Sequence, residues 1–265
     1  MFNTDIFFFD VETTGLDIDT DAIVQIAYKR ITTGVDGPSV VSEGSLVVNP
    51  MQSISEGASA VHGFTDASVA DRPPFDVYAD TLYALADKAV WCGYNVTRFD
   101  IPIFMNAFAK CNHAIPKPSG VIDSLAIFHH FYGKSKVRGA RTLMAAHLRY
   151  CGCEFDNAHD AFADIQATYD VLDAQIDAHA DCLNLNFAVE VSKELSRQID
   201  RRGFFKFDRH TGKAVCAMGK YAGTPLEDVP DTYFNWIVSE PKFEADIKKV
   251  ASNALIGVYP VWRLK

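Results

Sequence analysis

From Asp5 to Val11 the chain reads Asp-Ile-Phe-Phe-Phe-Asp-Val, a short, strongly apolar and aromatic run that stops at the turn signal Thr13-Thr14-Gly15. A run that is apolar at successive positions, rather than at alternate ones, predicts a strand buried on both faces, and such a strand needs covering layers above and below it. Two further runs, Ala22–Thr32 and Val40–Val48, are separated by Gly-Val-Asp-Gly-Pro, and the three together predict an antiparallel meander. Beyond Asp66 the spacing turns helical. It is interrupted by brief apolar runs at Ala89–Tyr94 and Val121–Asp123, and helices are predicted at Asp100–Cys111, Ser124–Tyr132, Arg141–Tyr150 and about Asp160–Ala180. Strands followed by helices that pack on them predict an α/β domain around a mixed five-stranded sheet.

The 265 residues are 48% hydrophobic and 22% charged, enough apolar material for a sizeable core. The net charge of −9 argues against a protein that grips polyanions through a diffuse basic surface. That charge is uneven: residues 1–180 carry 12 Lys and Arg against 23 Asp and Glu, and residues 181–265 carry 13 against 11. The six cysteines form no Cys-x-x-Cys pair, which argues against a structural zinc site, and no run of 18 apolar residues occurs. The sequence therefore predicts a cytoplasmic protein with reduced thiols and no membrane partner.

Residues i and i+2 of a strand share a face, so Asp10 and Glu12 project two carboxylates side by side. Adjacent anions at a strand end suit hard divalent cations, which prefer oxygen ligands and retained water. Asp100 follows the second apolar run in Gly-Tyr-Asn-Val-Thr-Arg-Phe-Asp, at a predicted helix start. A third segment, Ala-His-Asp-Ala-Phe-Ala-Asp, places Asp160 and Asp164 four residues apart on one helical face, with His159 on the loop entering the helix.

Phe-Asp-Val-Glu-Thr-Thr-Gly with Asp10 and Glu12, Asn-Val-Thr-Arg-Phe-Asp with Asp100, and His159 five residues before Asp164 resemble, in order and spacing, the three motifs of the DnaQ-like exonucleases, a family within the ribonuclease H-like fold. A histidine rather than a tyrosine in the third motif places the chain in the DEDDh branch. The resemblance covers residues 5–180 and implies a metal-dependent 3′→5′ exonuclease. Asp10, Glu12, Asp100 and Asp164 would hold two divalent ions, Mg²⁺ with Mn²⁺ as the alternative, about 3.5–4 Å apart. Asp10 would bridge both ions, with Glu12 and Asp164 on one and Asp100 on the outer ion, while His159 would take the proton of the attacking water. It further implies that Thr13, Thr14, Gly15 and Leu16 seat the terminal nucleotide, with Leu16 wedged against a base. His62 either approaches a sugar or base or stabilises its own turn; Phe64 and Phe99 are expected in the core.

Lys134, Lys136, Arg138 and Arg141 form the best local candidate for backbone contact in this domain. A domain over 1–182, a helical connector over 183–202 and a small α+β module over 203–265 are predicted. The module combines a hairpin turning near Arg209–Gly212, the segment Gly-Lys-Tyr-Ala-Gly-Thr-Pro-Leu-Glu-Asp-Val-Pro and two short helices, and is similar to the tail of exonuclease X-like proteins. Phe234 and Trp236 are assigned to its core; its surface is a candidate for DNA, for a protein partner or for a homodimer. The leading substrate expectation is the 3′ end of DNA. The alternatives are RNA trimming of the ribonuclease T or oligoribonuclease type, and a proofreading or docking subunit within a larger complex.

Overall fold

Strand β1 (Ile6–Thr13) lies at the centre of a five-stranded sheet and is longer than the predicted run, carrying on through both acids to Thr13. A computed structural model describes residues 2–34, 37–133, 141–156, 160–200 and 202–262. β1 pairs antiparallel with β2 (Ile23–Gly34), which pairs antiparallel with β3 (Gly37–Val47), so the meander forms as expected. After α1 (Glu56–His62), α2 (Asp66–Val69) and α3 (Asp76–Ala86), strand β4 (Val90–Gly93) returns parallel to β1. Helix α4 (Asp100–Lys110) then leads to β5 (Gly120–Asp123), parallel to β4, which completes the order β3-β2-β1-β4-β5. α5 (Ser124–Tyr132), α6 (Leu143–Cys151), α7 (Ala161–Ala178) and α8 (Leu185–Ser196) follow.

The two faces of β1 explain the layering. Phe7 and Phe9 point to one side, where their rings meet Phe104 of α4 at 6.2 and 4.9 Å. Ile6 and Phe8 point to the other, into a core that includes Ile165 and Leu172 of α7. All four are at most 1% exposed, as a run apolar on both faces requires. Asp10 and Glu12 share parity with Phe8, so the sheet aims them to the α7 side.

Three expectations are corrected. Helix α1 begins ahead of Asp66, capped by the Ser55 hydroxyl, which accepts from the Ala58 amide. It buries no residue and so carries no apolar periodicity to betray it. Asp160 is the N-cap of α7 rather than a member of its face. Its Oδ1 accepts from the Phe162 and Ala163 amides at 3.1 and 3.0 Å, because short acidic side chains satisfy the orphan donors of a first turn. Phe64 and Phe99 are half-buried rather than inside the core.

The chain divides into two compact units, Met1–Ser192 and Lys193–Lys265, with α8 running across the division. In the second unit β6 (Phe205–Phe207) and β7 (Ala214–Cys216) form a hairpin, followed by a 3₁₀ turn at Leu226–Asp228, α9 (Asp231–Ser239) and α10 (Ala245–Leu255). Its core holds Phe205, Phe234, Ile237 and Ile247. Phe234 is 1% exposed but Trp236 is 38% exposed, two residues further round α9 and off its buried face, against the expectation of a core tryptophan. Among the described residues no helix is long and apolar enough to cross a membrane.

Gly93, the last residue of β4, is fixed by space. A Cβ there would sit 2.6 Å from Val96 Cβ and 3.2 Å from the Phe9 carbonyl oxygen, so Gly93→Ala must push the following segment off the sheet. We expect a loss of about 1–3 kcal/mol in urea unfolding, the usual cost of overpacking, together with reduced activity because that segment ends at Asp100.

Candidate active site

The sheet ends irregularly beside the acids. Glu12 faces Gln25 but Thr13 faces Ile23, leaving Val24 as an extra residue that bends the strand pair there. β1 then turns through Thr14 and Gly15. The Thr13 hydroxyl donates to the Gly15 carbonyl at 2.6 Å, and the Thr14 hydroxyl donates to Asp21 Oδ1 at 2.7 Å while accepting from Gln52 Nε2 at 2.8 Å. Gly15 lies so close to the Asp21 carboxylate that a Cβ would meet Oδ2 at 2.6 Å. Thr13 and Thr14 are thus buried braces of the turn, and Leu16 at its tip is 82% exposed.

His62, on the last turn of α1, is held at both ring nitrogens. Nδ1 accepts from the Phe64 amide, which leaves Nε2–H to donate to the Thr13 carbonyl, each at 3.1 Å. This side chain ties the Val-His-Gly turn to the end of β1.

Asp100 is the first residue of α4, yet its carboxylate does not cap that helix. β4 pairs with β1 only as far as Phe8, and the Val11 amide, beyond that limit, donates to Asp100 Oδ1 at 3.1 Å. Asp100 reaches this position through a loop pinned by Asp123, which sequence reading passed over. The buried Asp123 carboxylate accepts from the Asn95 and Thr97 amides at 2.8 and 3.1 Å, from the Thr97 hydroxyl at 2.8 Å and from the Leu125 amide at 3.1 Å. The signal was its place before Ser124 at a helix start, where it also serves as N-cap. Asp21 and Gln52 were likewise missed, since a polar side chain that braces a loop carries no periodic mark.

Asp10, Glu12, Asp100 and Asp164 act on one another electrostatically. Burial raises Asp10 well above the usual carboxylate range, and the charges of Asp100, Asp164 and Glu12 push it further. Burial, then Asp164 and Asp160, lift Glu12 to about 7. Burial lifts Asp100 to about 8, opposed by the Val11 amide and aided by Asp123 and Glu12. Among the described residues, no three His, Cys, Asp or Glu side chains stand at ligating distance from one common point. The donor set still fits a hard divalent cation: it is all oxygen, anionic and half-buried, and its mutual repulsion is relieved by positive charge. His159, the predicted general base, lies outside the described residues, as do Lys134, Lys136 and Arg138 of the basic loop.

A family model described as exonuclease matches residues 7–172. Protein NEN4 of Arabidopsis thaliana is 33% identical over 119 residues, 45% of this chain and 45% of its own length, so the chain spans less than half of that relative. Among solved structures, exonuclease X in complex with 5′ overhanging duplex DNA superposes with a TM-score of 0.53 at 19% identity, over 71% of this chain and 99% of that one. The zinc-bound complex of E. coli exonuclease I with single-stranded DNA gives 0.63 at 20% identity, over 91% and 60%. These likenesses speak for the fold, and the family match, which runs from β1 into α7 and spans Asp10, Glu12, Asp100 and Asp164, speaks for the rest: the chain belongs to the exonuclease family, as a DnaQ-like nuclease of the ribonuclease H-like fold.

Proposed function

We propose that this chain removes nucleotides one at a time from the 3′ ends of DNA. The observation that carries the reading is that Asp10, Glu12, Asp100 and Asp164 act on one another electrostatically where β1 runs out beyond β4, burial first and neighbouring acids second holding Asp10, Glu12 and Asp100 toward their protonated forms. Asp10, Glu12, Asp100 and Asp164 would together hold two divalent ions, Mg²⁺ or Mn²⁺. Bound ions would supply charge neutralisation at the phosphate and a polarised water. His159 would remove a proton from the attacking water as its oxygen joins phosphorus. The bond to the 3′ oxygen then breaks, giving a nucleoside 5′-monophosphate and a strand one residue shorter with a free 3′-hydroxyl.

The turn Thr13–Gly15, braced from below by Asp21 and Gln52, would offer backbone and the exposed Leu16 side chain to the terminal base, with His62 holding the turn in place. The nuclease domain is assigned to 1–182, the connector to 183–202 and the accessory module to 203–265. The two structural neighbours were solved with DNA, which favours DNA over RNA here.

The test is digestion of matched 5′-labelled single-stranded DNA, duplex DNA and RNA in Mg²⁺, beside Asp10→Ala and His159→Ala. A DNA ladder that shortens from the 3′ end, absent in Asp10→Ala and nearly absent in a folded His159→Ala, is expected. A ladder on RNA alone would replace the substrate assignment, and wild-type rates in either variant would remove the assigned roles.

A further inference from the structure

The nuclease unit is a poor electrostatic host for the substrate just assigned to it. Residues 1–192 carry 12 Lys and Arg against 25 Asp and Glu, a net −13, and residues 193–265 carry 13 against 9, a net +4. Because phosphate neutralisation supplies most sequence-independent affinity, the second unit is the one whose net charge complements a polyanion.

That unit also shows an aromatic face. α9 buries Phe234 and Ile237 and carries Trp236, 38% exposed, three residues after Tyr233; Tyr233 and Tyr221 are half-buried against the unit's core and only partly open to solvent. Their rings stack with centroids 5.3 Å apart, and Tyr221 meets Tyr233 edge-on at 4.8 Å, which makes a continuous row of three. The row is built rather than incidental. Gly219, at φ +81°, passes so near Tyr233 that a Cβ would lie 2.5 Å from its hydroxyl, and the Lys220 amide donates to that hydroxyl. A cation stands at each end: the Lys220 ammonium is 5.3 Å from the Tyr221 ring centre and the Lys242 ammonium 4.5 Å from that of Trp236. Glu240 accepts from the Trp236 indole at 3.2 Å and lies 3.9 Å from Lys242, a loose pair between exposed side chains. Exposed cation–π contacts and exposed ion pairs are weak beside base–aromatic stacking, so an arriving base can displace Lys242 from the ring toward a neighbouring phosphate.

We infer that the row Tyr221–Tyr233–Trp236, flanked by Lys220 and Lys242, is a second nucleic-acid site that holds single-stranded substrate by stacking and phosphate contact. It rests on the nucleic-acid reading of the nuclease unit, and the test separates the two. The full-length chain carrying Asp10→Ala is titrated with a 5′-labelled 20-mer of deoxythymidine, with and without Trp236→Ala, and with Lys220→Ala plus Lys242→Ala, two exposed positions that carry no core packing. Trp236→Ala is expected to weaken binding roughly tenfold. The double lysine variant should flatten the logarithmic salt slope by about 1.4, at about 0.7 for each single-strand phosphate left without its lysine. In the otherwise native enzyme, hydrolysis of the p-nitrophenyl ester of thymidine 5′-monophosphate, too small to reach a second site, is expected to stay within twofold in every variant. Unchanged oligonucleotide affinity and salt slope would overturn the inference even if the enzyme is fully active. Loss of self-association on sedimentation, with DNA binding intact, would overturn it in favour of a dimer contact. A native enzyme that cleaves neither substrate would strike the nuclease reading instead.

Discussion

Asp100→Asn is expected to slow phosphodiester hydrolysis by on the order of 10³-fold and, at the same time, to stabilise the metal-free protein at pH 8. The rate falls because a neutral amide neither balances divalent charge nor offers an anionic ligand. The gain in stability follows from Asp100 being buried beside other acids, with its carboxyl lifted from 3.8 to about 8. Between those values the folded chain keeps a proton that the unfolded chain has released. The unfolded state therefore binds fewer protons, and stability must fall as pH rises across that window. Asp10 and Glu12 act in the same sense. Thermal melts in chelator at pH 5 and pH 8 should thus show native protein weaker at pH 8, a smaller difference in Asp100→Asn, and recovery of native stability on adding Mg²⁺. A native melt that is indifferent to pH, or an Asn variant with full activity, would contradict this account of the site.

Phe104→Ala is expected to cost about 3–5 kcal/mol, read as a lower urea midpoint. Phe104 is fully buried and its ring meets five others: Phe7, Phe9, Phe75, Trp91 and Phe108, at centroid distances of 4.9 to 6.4 Å. The cavity would open under β1 itself, between the strand that carries Asp10 and the helix that carries Asp100. Leu16→Ala, by contrast, should leave the midpoint unchanged, since that side chain is 82% exposed. An equal loss in both variants would mean that the core is not where the packing puts it.

The architecture was legible where the chain signals by period. The unbroken apolar run of β1, the two apolar runs that became β2 and β3, and the spacing that marks α4, α5 and α7 each follow from which faces must be buried. What stayed hidden was held by single polar side chains: α1, with no buried face, and the loop before Asp100, to which Asp123 makes three hydrogen bonds. Trp236 was misjudged for a related reason, because composition says that a tryptophan is large and apolar but not which side of α9 it occupies. The acids were found through the parity of a strand and the order of three motifs; the turn that braces them was not, because Asp21 and Gln52 reach Thr14 from two unrelated later segments and neither carries a periodic mark.

Strand β3 forms one margin of the sheet, eleven residues long, with Val40 and Val41 51% and 58% exposed. Such a margin invites a second molecule to dock strand against strand. Ser42 faces Arg30 and Val40 faces Ile31, however, which leaves Val41 with no opposite residue, and Pro38 removes a donor nearby. An incoming chain would therefore lose its step after a few residues. A flaw in the ladder thus works against edge-to-edge pairing along this strand.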